Sequence, residues 1–143
     1  MINLITIKKL NEIIERWENA KTFAEIPEED EGLFIAYNGN KFIALANECR
    51  DCYCEEFYSL EIAINYLLGN YESLELLYML DETFSDNKVF WFYEEVYVTR
   101  GIRFKNSSIA KELLAVGFNK DKNPKLFKKY IKNTIDKVNE KMK

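Results

Sequence analysis

The sequence predicts an α+β fold, with helices packed on an antiparallel sheet. Three observations predict it. Apolar side chains recur at helical spacing over residues 4–20. Three short β-prone runs, divided by turn residues, fill residues 33–57. Helical spacing returns over residues 59–80 and again toward the C-terminus.

The first helix spans about residues 4–20, with Ile7, Leu10, Ile13, Ile14 and Trp17 forming one stripe. Lys8, Lys9, Glu12, Glu15, Arg16 and Glu18 take the other side, and Asn3 or Thr6 suits the N-cap. Residues 25–32 read as a loop, because Pro27 disfavours helix at Ile26 and Gly32 punctuates its end. Residues 33–37 form the first strand of the meander. Asn38, Gly39 and Asn40 tolerate the positive φ of a tight turn, and residues 41–46 form the second strand. Residues 47–51 turn again, and residues 52–57 form the third. Such short connections imply antiparallel pairing.

Ser59 suits the N-cap of a second helix, with Glu61 in its first turn near the positive end of the helix dipole. Leu60, Ala63, Ile64, Leu67 and Leu68 form its apolar face, and Gly69 ends it. A short helix follows over about residues 72–80, then a polar, turn-like stretch over 81–87. Residues 88–99 have the strongest β-propensity in the chain, as one central strand or two broken near Glu94-Glu95, with Trp91, Phe92 and Tyr93 expected in the core; Arg100 and Gly101 turn into residues 102–104, completing a strand region over 88–104. Ile109, Leu113 and Val116 mark another short helix. Pro124 suits the first position of the last one. Over about residues 125–142, Phe127, Tyr130, Ile131, Thr134, Ile135 and Val138 share one side.

The chain has 143 residues, 48% hydrophobic and 15% aromatic, which suits a globular core and excludes a disordered chain. No apolar run approaches the roughly 20 residues of a membrane helix. Lys8 and Lys9 follow the first apolar residues, the reverse of a signal peptide. A cytoplasmic protein with no membrane partner is expected. Histidine is absent. That removes Ser-His-Asp and Cys-His catalysis and the usual zinc ligands, so the expectation is a protein that is not an enzyme.

Charge divides the chain. Residues 1–100 hold eight Lys and Arg against twenty Asp and Glu, and residues 101–143 hold twelve against four. The expected organisation is an acidic α+β body over 1–100 and a basic helical segment over 101–143, packed together as one domain. Either the basic segment docks on the acidic body or is a solvated helix face, or one pole meets a partner of opposite sign. The residues that would carry such a contact are Glu28, Glu29, Asp30 and Glu31 at the acidic pole. At the basic pole they are Lys125, Lys128, Lys129 and Lys132.

Other constellations are less specific. Cys49, Cys52 and Cys54 have a spacing that fits zinc, but lack a fourth soft ligand, so they are expected to be reduced and metal-free. Glu55-Glu56 and Glu94-Glu95 are neighbours on strands, where consecutive side chains face opposite ways. No glycine-rich phosphate loop is present. Residues 107–113 look like the start of a helix-turn-helix, but the following connection is too long for one. No cofactor is expected, and no feature sets an oligomeric state.

The order helix, strands over 33–37, 41–46 and 52–57, then helix, in a small acidic chain rich in Asn, Lys and Ile, resembles small phage-encoded anti-CRISPR proteins. The resemblance is one of topology, size and charge over about half the chain, with no motif matched residue by residue. It implies a non-enzymatic inhibitor that blocks a bacterial defence nuclease by protein–protein contact, mimicking the nucleic acid the nuclease binds. The partner would be another protein or a ribonucleoprotein. The alternative is a small nucleic-acid-associated regulatory protein that uses its basic C-terminal helices.

Overall fold

Residues 2–4 pair as a strand in the computed structural model, which describes residues 1–48, 51–86 and 123–142. Strand β1 (Ile2–Leu4) lies parallel to β2 (Gly32–Tyr37), with Ile2 opposite Leu33 and Leu4 opposite Ile35. Helix α1 (Ile7–Asn19) makes the crossover between them. The expected helix start near residue 4 is corrected by this pairing. Ile2 gains a place in the core at 2% exposure, and the Ile5 amide bonds the Ile35 carbonyl at 2.9 Å. Tertiary pairing outweighs a local helical pattern. Thr6 becomes the N-cap, its hydroxyl accepting from the Lys9 amide at 3.1 Å.

Strands β2, β3 (Phe42–Asn47) and β4 (Tyr53–Phe57) form the expected antiparallel meander, and the sheet order is β1-β2-β3-β4. Alternation sorts its two faces. Phe34, Ala36 and Leu45 pack under Leu10 and Ile13 of α1. Leu33, Ile35, Phe42, Ala44 and Phe57 face the other way, toward α2 (Leu60–Leu67) and α4 (Pro124–Lys141). The sheet is thus a middle layer between helices. Trp17, at the end of the expected apolar stripe of α1, keeps 37% of its surface exposed.

Helix α2 is the centre of the larger core. Every residue from Leu60 to Leu67 is buried, on the polar as well as the apolar side of its pattern. Ser59 caps it, accepting from the Ile62 amide at 3.2 Å, and Gly69 follows it at φ 71°. Helix α3 (Leu74–Asp86) runs further than the 72–80 expected, through the stretch read as turn-like. The reason is Asp81, which is 3% exposed and whose carboxylate accepts from the Tyr58 and Ser59 amides at 2.9 Å. It serves the open start of α2 while remaining inside α3.

Helix α4 buries Phe127, Tyr130, Ile131, Thr134, Ile135 and Val138, the six side chains that its sequence places on one side. Two polar fasteners hold it. The Asn139 side chain accepts from the Ile2 amide at 2.8 Å and donates to the Ile2 carbonyl at 2.9 Å. It occupies the free edge of β1 as a neighbouring strand would. Deeper in, the Tyr130 hydroxyl donates to Glu61 Oε1, and the Ser59 hydroxyl donates to Glu61 Oε2 at 3.3 Å. Glu61 stands in the first turn of α2, as expected, but it does not face solvent. It is instead 3% exposed, and burial pushes its pKa up to about 7 against the opposing effect of these hydrogen bonds.

The expected strand region 88–104 with Trp91, Phe92 and Tyr93, the expected helix over 109–116 and the helix-turn-helix-like residues 107–113 lie outside the described residues. So do Cys49, Glu94 and Glu95.

Two predictions follow from these fasteners. Asn139→Ala removes both bonds to Ile2 and lowers stability by about 1–2 kcal/mol in urea unfolding, with faster hydrogen exchange at the Ile2 amide. Glu61 takes up its proton more readily in the folded chain than in the unfolded one. Its contribution is therefore full below the ordinary value of 4.5 and is lost as pH rises through about 7. The loss amounts to roughly 3 kcal/mol, and Glu61→Gln should remove that part of the pH dependence.

Candidate functional site

The acidic run does not behave as one unit. Glu28–Asp30 form a single 3-10 turn after Pro27. Glu28, Glu29 and Glu31 are exposed, whereas Asp30 is 2% exposed. Its carboxylate accepts from Arg16 through Nε at 2.7 Å and Nη2 at 2.8 Å, a two-pronged pair that joins the turn to α1. The bond to Asp30 holds the Arg16 guanidinium above its ordinary pKa. The Asp30 carbonyl accepts from Asn47 Nδ2 at 2.7 Å, and Asn47 Oδ1 accepts from the Cys52 amide at 3.1 Å. The expected face of four carboxylates is therefore three carboxylates standing on a fourth, which is turned inward as their anchor.

The basic residues lie elsewhere. Lys125, Lys128, Lys129 and Lys132 are all exposed on the first half of α4. This end of α4 lies near the far end of β2, where the Tyr37 and Phe127 rings stand 5.3 Å apart. The other end of α4 meets Ile2, whose partner Leu33 lies beside the start of β2. The acidic turn runs into that start through Glu31 and Gly32. The two charged groups thus lie toward opposite ends of a six-residue strand, about 20 Å apart. That exceeds a Debye length of about 8 Å in physiological salt. Helix α4 docks through its apolar stripe, not by laying its lysines on the acidic turn.

Beside these lysines lies a cleft of about 780 Å³. Leu4, Ile5, Tyr37, Phe127 and Ile131 provide its apolar lining, and Lys9, Lys128 and Lys132 its charge. Thr6 and Pro124, the N-cap of α1 and the first residue of α4, also line it. The starts of two helices therefore border the same opening. The sequence pairs Lys128 with Lys132 by helical spacing. It does not reveal Lys9 or the apolar lining, because both depend on β1 lying beside α4.

The described cysteines and paired carboxylates lie around β4. Cys52, at φ 55°, packs with the cluster under α1, and Cys54 lies opposite Leu45 on the same sheet face. Cys54 is exposed overall, and partial desolvation of its thiol, followed by the nearby Cys52 and the carboxylates Glu56 and Glu55, raises it above its ordinary value. Cys52 is raised as well, first by burial, so neither is a ready thiolate. Glu55 and Glu56 fall on opposite faces, as expected, opposite Ala44 and Ile43. Glu55 accepts from the Tyr78 hydroxyl. Among the described residues no three Cys, Asp or Glu side chains come together to hold a metal ion.

The anchor role of Asp30 separates it from its neighbours experimentally. Asp30→Ala should cost about 1–2 kcal/mol in urea unfolding, a buried-pair loss discounted for the partly exposed Arg16. Glu28→Gln and Glu29→Gln should each stay within about 0.5 kcal/mol of the parent.

Comparison with known proteins finds no matching family model, no matching curated protein and no matching solved structure.

Proposed function

We propose that this chain is a non-enzymatic binding protein of the cytoplasm that inhibits a bacterial defence nuclease by protein–protein contact, in the manner of the phage-encoded proteins it resembles. The observation that supports this reading is the anchored acidic turn. Glu28, Glu29 and Glu31 project from a turn tied to α1 through Arg16 and to β3 through Asn47. Carboxylates held on a fixed frame lose little freedom on binding, so they can occupy a groove that normally holds phosphates. Their distance from the α4 lysines leaves their field uncancelled at the surface.

One observation favours a second reading. Lys125, Lys128, Lys129 and Lys132 are exposed together at the start of α4, a placement that suits phosphate contacts without base readout. In that case the chain is a small nucleic-acid-associated regulatory protein.

Cleavage by purified defence nuclease complexes, measured with and without this chain, tests the first reading. The triple variant Glu28→Lys/Glu29→Lys/Glu31→Lys keeps Asp30 and should lose inhibition, more than tenfold in potency. The variant Lys125→Glu/Lys128→Glu/Lys129→Glu/Lys132→Glu should retain it. Binding to bare DNA or RNA that weakens steeply with salt, and disappears in the lysine variant, supports the second reading instead. Inhibition of no complex, with no binding to nucleic acid, overturns both.

A further inference from the structure

We infer that the cleft between α4 and the β1–α1 junction is a binding site for a small amphiphilic anion, an aliphatic chain carrying a carboxylate. This site goes beyond the macromolecular contact proposed above and does not depend on it. Three features of the cleft lead there. Its volume, about 780 Å³, falls within the range of roughly 300–1,000 Å³ typical of small-molecule sites. Its lining of Leu4, Ile5, Tyr37, Phe127 and Ile131 is apolar, with Leu4 and Tyr37 on the sheet, Phe127 and Ile131 on α4, and Ile5 in the β1–α1 connection. Its charge is of one sign: Lys9, Lys128 and Lys132 line it, and no carboxylate does.

The salt bridge among the described residues joins Arg16 and Asp30, so none of the three lysines has a carboxylate partner there. The starts of α1 and α4, at Thr6 and Pro124, border the same opening. A cationic or neutral chain of equal length would gain the apolar contact but not the charge. The expected ligand is therefore the free carboxylate of a medium-chain fatty acid. Its chain would lie against Leu4 and Ile131 and its head would lie among the lysines.

The test uses the full chain and three probes with one tail: dodecanoate, dodecanol and dodecyltrimethylammonium, each kept below its micelle concentration. Calorimetry should show dodecanoate binding at least about tenfold tighter than either of the others. Isoleucine methyl NMR should show shifts at Ile5 and Ile131 and none at Ile26, which lies beside Trp17 and Phe23 and outside the cleft lining. Lys128→Glu/Lys132→Glu should weaken dodecanoate about tenfold. Lys125→Glu/Lys129→Glu, with the same change of charge outside the cleft lining, should weaken it less than about threefold. Equal binding of all three probes, equal losses in the two variants, or shifts confined to other methyls would overturn the inference. So would binding to phosphatidylglycerol vesicles alone, with none to monomeric dodecanoate, which would mark a lipid surface instead.

Discussion

The docking of α4 along β1 is the contact on which the remaining features depend. Asn139 satisfies the outer amide and carbonyl of Ile2, so the sheet does not end on an open edge there. The same docking buries six side chains of α4 against the sheet and α2. Each fully buried apolar side chain among them contributes roughly 1.5–3 kcal/mol. It also decides where the lysines stand, since the bond at Asn139 orients the first half of α4 toward Tyr37 and away from the acidic turn. The lysine-lined cleft exists because α4 and β1 lie side by side.

Polar groups inside this small protein act as fasteners between elements. Asp81 joins α3 to the start of α2, Asp30 joins the acidic turn to α1, and Asn47 joins that turn to the β3–β4 connection. Glu61 joins α2 to Tyr130 of α4. A buried polar group without partners costs more than its bonds gain, so each fastener favours one arrangement strongly over near alternatives. Among the described residues, Asn65 Oδ1 is the buried side-chain atom that lacks such a partner. The cost of Glu61 is pH-dependent because burial opposes its ionisation.

These fasteners bear on function through rigidity. An acidic turn fastened at Asp30 presents its three outer carboxylates in one geometry, and a cleft walled by strand and helix keeps its shape without a ligand. Both reduce the ordering cost of binding.

Much of this architecture was legible in the residues themselves. The inner stripe of α4, the Thr6 and Ser59 caps, the Gly69 stop and the meander all rest on local periodicity, capping chemistry and turn preference, which neighbouring residues determine. Three features were not legible. Strand β1 was hidden because three residues are too short a run to show a period, and only β2 and Asn139 make them a strand. The inward roles of Asp30, Glu61 and Asp81 were hidden, because a carboxylate's partner is chosen by the fold: Arg16 on α1, Tyr130 on α4, and the amides before α2. The cleft was hidden for the same reason, since Lys9 and Lys128 are distant in sequence and meet only when β1 and α4 pack together. The sequence alone determined which faces are apolar and where each pole of charge lies along the chain. The tertiary structure alone decided which acids turn inward, which lysines share a cleft and how far apart the poles stand, because those depend on contacts between residues remote along the chain.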